Sequence, residues 1–329
     1  MALDEISLVR LFYQAWLHLP KYETKDDTLR SATRSCHFPG LSLNDGSAIP
    51  MNAPRPAPRI LVFDSGVGGL SVMREIQHRL PGCHYLYASD NAAFPYGTKT
   101  EQELVSRVDH VLHQLLHHAD AHYGPVDIIV VACNTASTLT LPHIRSHFSQ
   151  PIVGVVPAIK PAALESKTGV IGLLATPATV TRPYTLDLIK NYAANCEVIR
   201  VGSSELVSIA EQKLRGETIS IDHISNIIAP LQDERMDTLV LACTHFPLLR
   251  DEITRCLAHK VALIDSGEAI ARRVEFLLRA DEKLHDAVAP RTSATQNNCA
   301  LFTKATREVE QLRPALARFD IASVEILVN

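Results

Sequence analysis

Two cysteines of this chain stand in nearly the same local setting. In VVACNTAST (130–138) an apolar run ends at Ala132-Cys133 and continues into Asn134 and Thr135. In VLACTHFPLL (240–249) it ends at Ala242-Cys243 and continues into Thr244 and His245. Neither thiol has a second Cys or a paired His at the spacing of a structural zinc site. A free cysteine is most often a packed small hydrophobe, and that is the plain reading for either one alone. Two at equivalent places, each followed by hydroxyl-bearing residues, point instead to thiol chemistry as base, acid or nucleophile. Cys36, Cys83, Cys196, Cys256 and Cys299 have no such setting and are assigned to packing.

The elements around them explain why the repeat matters. Short apolar runs occur at 59–63, 84–89, 127–132, 152–156, 170–175, 197–201, 238–242 and 261–264. Between them lie stretches of helical period such as LSVMREIQHRL, ELVSIAEQKL and AIARRVEFLLRA. Strands alternating with helices predict right-handed crossovers and mostly parallel sheets buried on both faces. Their number suits two such sheets better than one, and ligands in these folds bind beyond the carboxyl ends of the strands. Both cysteines then fall where a strand stops and a helix begins. Unpaired N–H groups and the helix dipole there favour ionisation of a thiol whose ordinary pKa is about 8.5.

Other polar residues fall at the same ends. DSGVGG (64–69) reads as a Gly-rich turn opening a helix, an anion cradle led by Asp64, and it matches neither the dinucleotide fingerprint nor the phosphate-binding loop. A ligand carrying both an ammonium and a carboxylate fits it better than a phosphate. Asp265-Ser266-Gly267 echoes it after the eighth run, as if one plan were used twice. NAAFPYGTK (91–99) is a turn-rich loop able to reach over the same mouth or to form a plain surface turn. His110, His113 and His117 fall on the wet face of a helix whose other side is Leu104, Val108, Val111, Leu112 and Leu115. That cluster reads as a solvated face, and no metal is expected.

Composition excludes several classes of function. The chain has 329 residues, 46% hydrophobic and 21% charged, with a net charge of −4. That argues for two domains and against a nucleic-acid partner. No apolar run approaches the roughly eighteen residues of a membrane span. An odd set of seven scattered cysteines suits a reducing, cytoplasmic setting. Residues 1–58 differ from the rest of the chain: an amphipathic stretch, a weakly patterned segment and the Pro-rich NAPRPAPR. They are expected to be a flexible or regulatory extension, with Trp16 as its docking group, or an upstream segment preceding a true start at Met51.

FDSGVGGLSV, SDNAAFPYGTKT, VVACNTAST, VVGVVPAIKPA, GLLAT and LACTHFPLL, in that order, resemble the cofactor-independent, two-cysteine aspartate/glutamate racemases. The ACTHFPLL form is similar to the glutamate-specific branch. The resemblance implies an α/β fold of two similar domains, their mostly parallel sheets facing each other across an active-site cleft. It places the first domain at about 59–152 plus 266–329 and the second at about 153–265. It implies Cys133 and Cys243 as acid/base thiols, with Asp64, His245 and Glu211 assisting proton transfer. Asp64, Ser65, Tyr96, Gly97, Asn134, Thr135, Thr244 and His245 become contacts of a glutamate substrate. It further implies no cofactor, a role in supplying D-glutamate for peptidoglycan, a monomer or homodimer, and activation by UDP-N-acetylmuramoyl-L-alanine. The rival readings are an aspartate or related racemase, a cysteine-nucleophile hydrolase using Cys243 and His245, and a non-catalytic binder of an acidic metabolite.

Overall fold

The computed structural model describes residues 57–281 and 298–327, all within one compact body that begins at Pro54. The expectations placed on the N-terminal extension, Trp16 and Cys36 included, lie outside the described residues.

The chain runs β1 (Arg59–Asp64), α1 (Leu70–Arg79), β2 (His84–Ser89), α2 (Glu101–His122), β3 (Ile128–Val131), α3 (Asn134–His147), β4 (Ile152–Gly154) and α4 (Ile159–Glu165). It continues through β5 (Val170–Ala175), α5 (Pro177–Thr181), α6 (Pro183–Tyr192), β6 (Glu197–Gly202), α7 (Glu205–Leu214), α8 (Ile221–Ile228), β7 (Thr238–Leu241), α9 (Arg250–Cys256) and β8 (Ala262–Ile264). The last elements are α10 (Gly267–Ala280), β9 (Asn298–Phe302), α11 (Arg307–Ala317) and β10 (Ile321–Ile326).

The strands form two sheets, β10-β9-β2-β1-β3-β4 and β6-β5-β7-β8, and every pairing is parallel. Counted from each sheet's first strand, both contain the same order, 2-1-3-4. In each, the order reverses between the strand that starts the unit and the strand that leads into a cysteine. That reversal leaves a crevice beyond the strand ends, the place where parallel sheets hold ligands.

Alternation along β1 explains why the first sheet is covered on both sides. Ile60 and Val62 pack with α1, α10 and α11 residues such as Met73, Val274 and Leu316. Leu61 and Phe63 face the other way, onto Val108, Leu112 and Ile144 of α2 and α3. A third core joins Leu174, Leu239 and Leu241 of the second sheet to Leu206, Ile209 and Ile224. At roughly 1.5–3 kcal/mol for each fully buried large apolar side chain, these cores set the frame that the polar strand ends must obey.

Val153 and Gly154 pair with Val130 and Val131, so the first sheet runs to residue 154. The two C-terminal strands, β9 and β10, extend that sheet beyond β2, in a stretch where the sequence showed no marked apolar run. Among the described residues no helix is long and apolar enough to cross a membrane.

Candidate active site

β1 and β3 are neighbours in the first sheet, so Asp64 and Cys133 emerge side by side at its crevice. Cys133 is the N-cap of α3, with extended backbone (φ −67°, ψ 119°). Its sulfur lies 3.8 Å from Ser65 Oγ. The expectation of an easily ionised thiol here is overturned. Burial pushes the Cys133 thiol up strongly, and the charge of Asp64 adds to it. The Ala136 N–H and the Ser65 hydroxyl offset this only in part. One helix N-terminus does not outweigh desolvation beside a carboxylate.

Cys243 differs from the sequence expectation in another way. After β7 the chain turns by three-residue closures: the Phe246 N–H donates to Cys243 O (3.0 Å) and the Leu248 N–H to His245 O (3.1 Å). Phe246–Leu249 is a 3₁₀ turn, and α9 starts only at Arg250. Cys243 is therefore not at an α-helix N-terminus. Its polar neighbour is His245, whose Nδ1 lies 3.8 Å from the sulfur. The other ring nitrogen, Nε2, lies 2.8 Å from Glu211 Oε1, the atom that also accepts the Val67 N–H at 2.9 Å. Burial opposes charge on His245, but Cys243 and Glu211 outweigh it and hold its pKa well above the usual histidine range.

The two sheets meet through the polar residues of these turns. Thr244 donates its hydroxyl to Asp64 Oδ2 (2.9 Å), and Ser71 donates to Thr244 O (2.8 Å). Asp64 Oδ1 accepts the Ser65 N–H at 2.6 Å. Gly68 is what permits the approach: a Cβ there would stand 2.5 Å from both His245 Nδ1 and Thr244 Oγ1. From the second sheet, Arg182 at the α5–α6 junction donates to Thr138 Oγ1 (2.9 Å) and Thr135 O (3.4 Å) on α3.

Cys133 and Cys243 line one cavity of about 300 Å³, which also holds Asp64, Ser65, Asn134, Thr135, Thr244 and His245. Tyr96 and Gly97 line it too, on a 3₁₀ turn of the 91–99 loop. The Tyr96 hydroxyl is spent on Asp90 Oδ2 (2.6 Å), a carboxylate also bound by Arg107 and Thr303. That leaves the Tyr96 ring and the adjoining backbone as its contribution to the wall.

Glu211 does not line this cavity. It borders a second one, also of about 300 Å³, and is linked to Cys243 through His245. The second DSG does not repeat the first: Asp265 pairs with Arg250 and accepts the Gly267 N–H, and Ser266 donates to Val156 O. Residue-by-residue reading missed Phe94, whose ring packs 6.0 Å from that of His245, and Thr176, Ser204 and Ser208 in the cavity wall. Their signal was position: Thr176 follows β5 as Ser65 follows β1, and Ser204 follows β6.

Residues 60–274 match the family model of Asp/Glu/hydantoin racemases. A glutamate racemase of Salmonella typhimurium is 48% identical over 274 residues, covering 83% of this chain and 93% of that protein. The glutamate racemase of Klebsiella pneumoniae is 47% identical over the same length. Among solved structures, Escherichia coli glutamate racemase in complex with L-glutamate and the activator UDP-MurNAc-Ala matches with a TM-score of 0.74. It is 46% identical, over 83% of this chain and 99% of that one. An isoform of glutamate racemase from Bacillus anthracis matches at 0.68 with 29% identity, over 84% of this chain and 98% of that one. With both cysteines in one inter-sheet cavity and residues 60–274 matched by the family model, the chain belongs to the Asp/Glu/hydantoin racemase family.

Proposed function

We propose that this chain interconverts L- and D-glutamate by two-base proton transfer at Cα. The observation that carries the reading is the cavity itself: one thiol arrives from each sheet, and each has its own polar partners. A thiolate on one side removes the Cα proton, and the electron pair is delocalised into the substrate carboxylate. The opposite thiol then donates its proton to the other face of Cα, so the two sulfurs exchange protonation states in each turnover. Cys133 and Cys243 fill these roles, alternating with the handedness of the substrate.

The hard step is the charge that builds on the substrate carboxylate. The N–H groups that open α3, with Asn134 and Thr135, are oriented donors beside it, and loss of one such donor costs about 2.7–4 kcal/mol of barrier in comparable sites. Ser65 and Thr244 already bond Asp64, so they hold that carboxylate in place for the substrate ammonium. His245 places positive charge beside Cys243, and Glu211 acts behind it as a positioning residue. The two sheets are taken as two domains, with the crossings placed after β4 and after β8. We also assign the chain to the cytoplasm, to the supply of D-glutamate for peptidoglycan, and to activation by UDP-MurNAc-Ala, the activator bound by the Escherichia coli relative.

Incubation of each glutamate enantiomer in D₂O without added cofactor tests the reading. Deuterium is expected at Cα while the optical signal decays, and Cys133→Ser or Cys243→Ser is expected to stop interconversion. Faster turnover of D-aspartate than of D-glutamate would move the assignment to the aspartate branch. Racemisation at normal speed by the Cys243→Ser enzyme would overturn the two-thiol mechanism. Deleting residues 1–50 tests the extension: unchanged activation by UDP-MurNAc-Ala removes that segment from regulation.

A further inference from the structure

We infer that the outer surface of the α2–α3 pair holds one divalent transition-metal ion of the zinc class, bound by Asp109, His143 and His147. His143 and His147 stand one turn apart on α3, so their rings share a face, with centroids 3.9 Å apart. Asp109 comes from α2 and places Oδ1 3.2 Å from His143 Nε2. One donor atom from each of the three lies within 4.8 Å of the other two. Zinc-class ions take nitrogen and oxygen ligands at roughly 2.0–2.2 Å, so binding draws the three donors somewhat closer together.

The surroundings prepare His147, while His143 Nε2 gives up to solvent the proton it shares with Asp109 Oδ1 when the ion binds. His147 Nδ1 lies 2.8 Å from His143 O. Donation to that carbonyl puts the proton on Nδ1 and leaves the Nε2 lone pair free, the arrangement that usually accompanies a ligating histidine. His113 lies behind Asp109, its Nδ1 2.9 Å from Asp109 O and 3.6 Å from Asp109 Oδ2, and its ring rests on Phe148. Two imidazoles and one carboxylate, with remaining positions left to water, suit zinc, nickel or copper; magnesium and calcium prefer oxygen alone.

The histidines conspicuous in the sequence, His110, His113 and His117, all come from the single helix α2. The site arises only when α3 packs on α2. The ion straps these helices at the end of α3 remote from Cys133, about 20 Å away at 1.5 Å per residue. It is a structural strap, separate from the catalytic cavity, and it does not depend on the racemase reading.

Titration of the full chain with Zn²⁺, followed by calorimetry, tests the site. About one ion per chain is expected, with affinity weakened about tenfold or more in His143→Ala, His147→Ala and Asp109→Asn. Zn²⁺ should raise the melting temperature of the parent protein and not that of His147→Ala, an exposed position whose metal-free melting reports whether the variant folds. Co²⁺ used in place of Zn²⁺ should give a spectrum without thiolate charge transfer. Variants that titrate like the parent, the absence of saturable binding, or a thiolate band from the bound Co²⁺ would each overturn the assignment.

Discussion

Glu211→Gln isolates the contribution of one negative charge to one face of the reaction. Glu211 Oε1 accepts both the Val67 N–H and His245 Nε2, at 2.9 and 2.8 Å. An amide oxygen can accept both, so the substitution keeps the shape and removes the charge. His245 is buried and owes its raised pKa to Cys243 and Glu211 against the cost of burial. Replacing a charge-assisted hydrogen bond by a neutral one costs about 1–1.5 kcal/mol, or about fivefold to tenfold in rate if it acts in the transition state at Cys243. Racemisation has an equilibrium constant of unity, so kcat/KM must fall by the same factor for both enantiomers. The location of the defect shows in the isotope effects. With Cα-deuterated substrate, the primary effect should rise for the enantiomer deprotonated by Cys243. For the other it should approach one, while solvent hydrogen washes into unreacted substrate, because its slow step is now proton return from Cys243. Equal isotope effects for both enantiomers, or an unchanged rate, would refute the idea that Glu211 works through His245 on one sulfur.

The same pair predicts a pH effect on stability. The folded pKa of His245 is raised, so its contribution is fully present below the unfolded value of about 6.5 and is lost as pH rises through the folded value. Denaturant unfolding across that range should show a smaller decline in Glu211→Gln. Asp64→Asn removes the charge that helps hold the Cys133 thiol high, so alkylation of Cys133 should begin at lower pH even as turnover falls. An unmoved alkylation profile would separate the two groups. Tyr96→Phe removes the hydroxyl that donates to Asp90 and should cost about 1–3 kcal/mol of stability with little change in KM. Burial raises the pKa of Asp90, but Arg107, Tyr96 and Thr303 outweigh it and hold the value low. This stability is present above the unfolded value of about 3.9 and is lost as pH falls through the folded one, a loss that Tyr96→Phe should lessen.

Eight strand positions were legible because apolar runs bounded by turns are a local signal, and the site residues at their ends came with them. β9 and β10 were not. NCALF follows a long polar stretch, and IASVEI alternates too weakly to stand out, yet pairing with β2 makes NCALF fully buried. The motif repeat placed both thiols at one kind of position but said nothing of their unequal surroundings. Ser65 and Asp64 beside Cys133 lie 68 and 69 positions away in sequence. Glu211 is linked to Cys243 through the far side of a histidine ring. His245 was legible as a partner of Cys243, but the turn closed by the Phe246 N–H on Cys243 O, which leaves the histidine's Nδ1 3.8 Å from the sulfur, was not. The second DSG misled because spacing alone cannot reveal that Arg250 occupies its aspartate.

Those unequal surroundings bear on how a symmetric reaction is run by an asymmetric site. A racemase has to hold one sulfur protonated and the other ionised at the moment substrate enters. Two thiols in identical settings would compete for one proton, leaving a large share of molecules with both charged or both neutral. Here the same strand order produces two copies of a position, and the turns after them make the copies differ. Cys133 sits beside a buried carboxylate, which favours its neutral form. Cys243 sits 3.8 Å from an imidazole whose charged form is held, against burial, by Cys243 itself and by Glu211. The two sulfurs therefore stand in unequal electrostatic settings, and on the proposed two-base mechanism an enantiomer that needs a sulfur in its disfavoured form must move a proton before or during binding. On the proposed mechanism Asp64, which accepts from Ser65 and Thr244 at once, is the candidate to carry it. On that account the Asp64→Asn enzyme should lose more kcat with the enantiomer deprotonated by Cys133 than with the other, and equal losses would place the proton's path elsewhere.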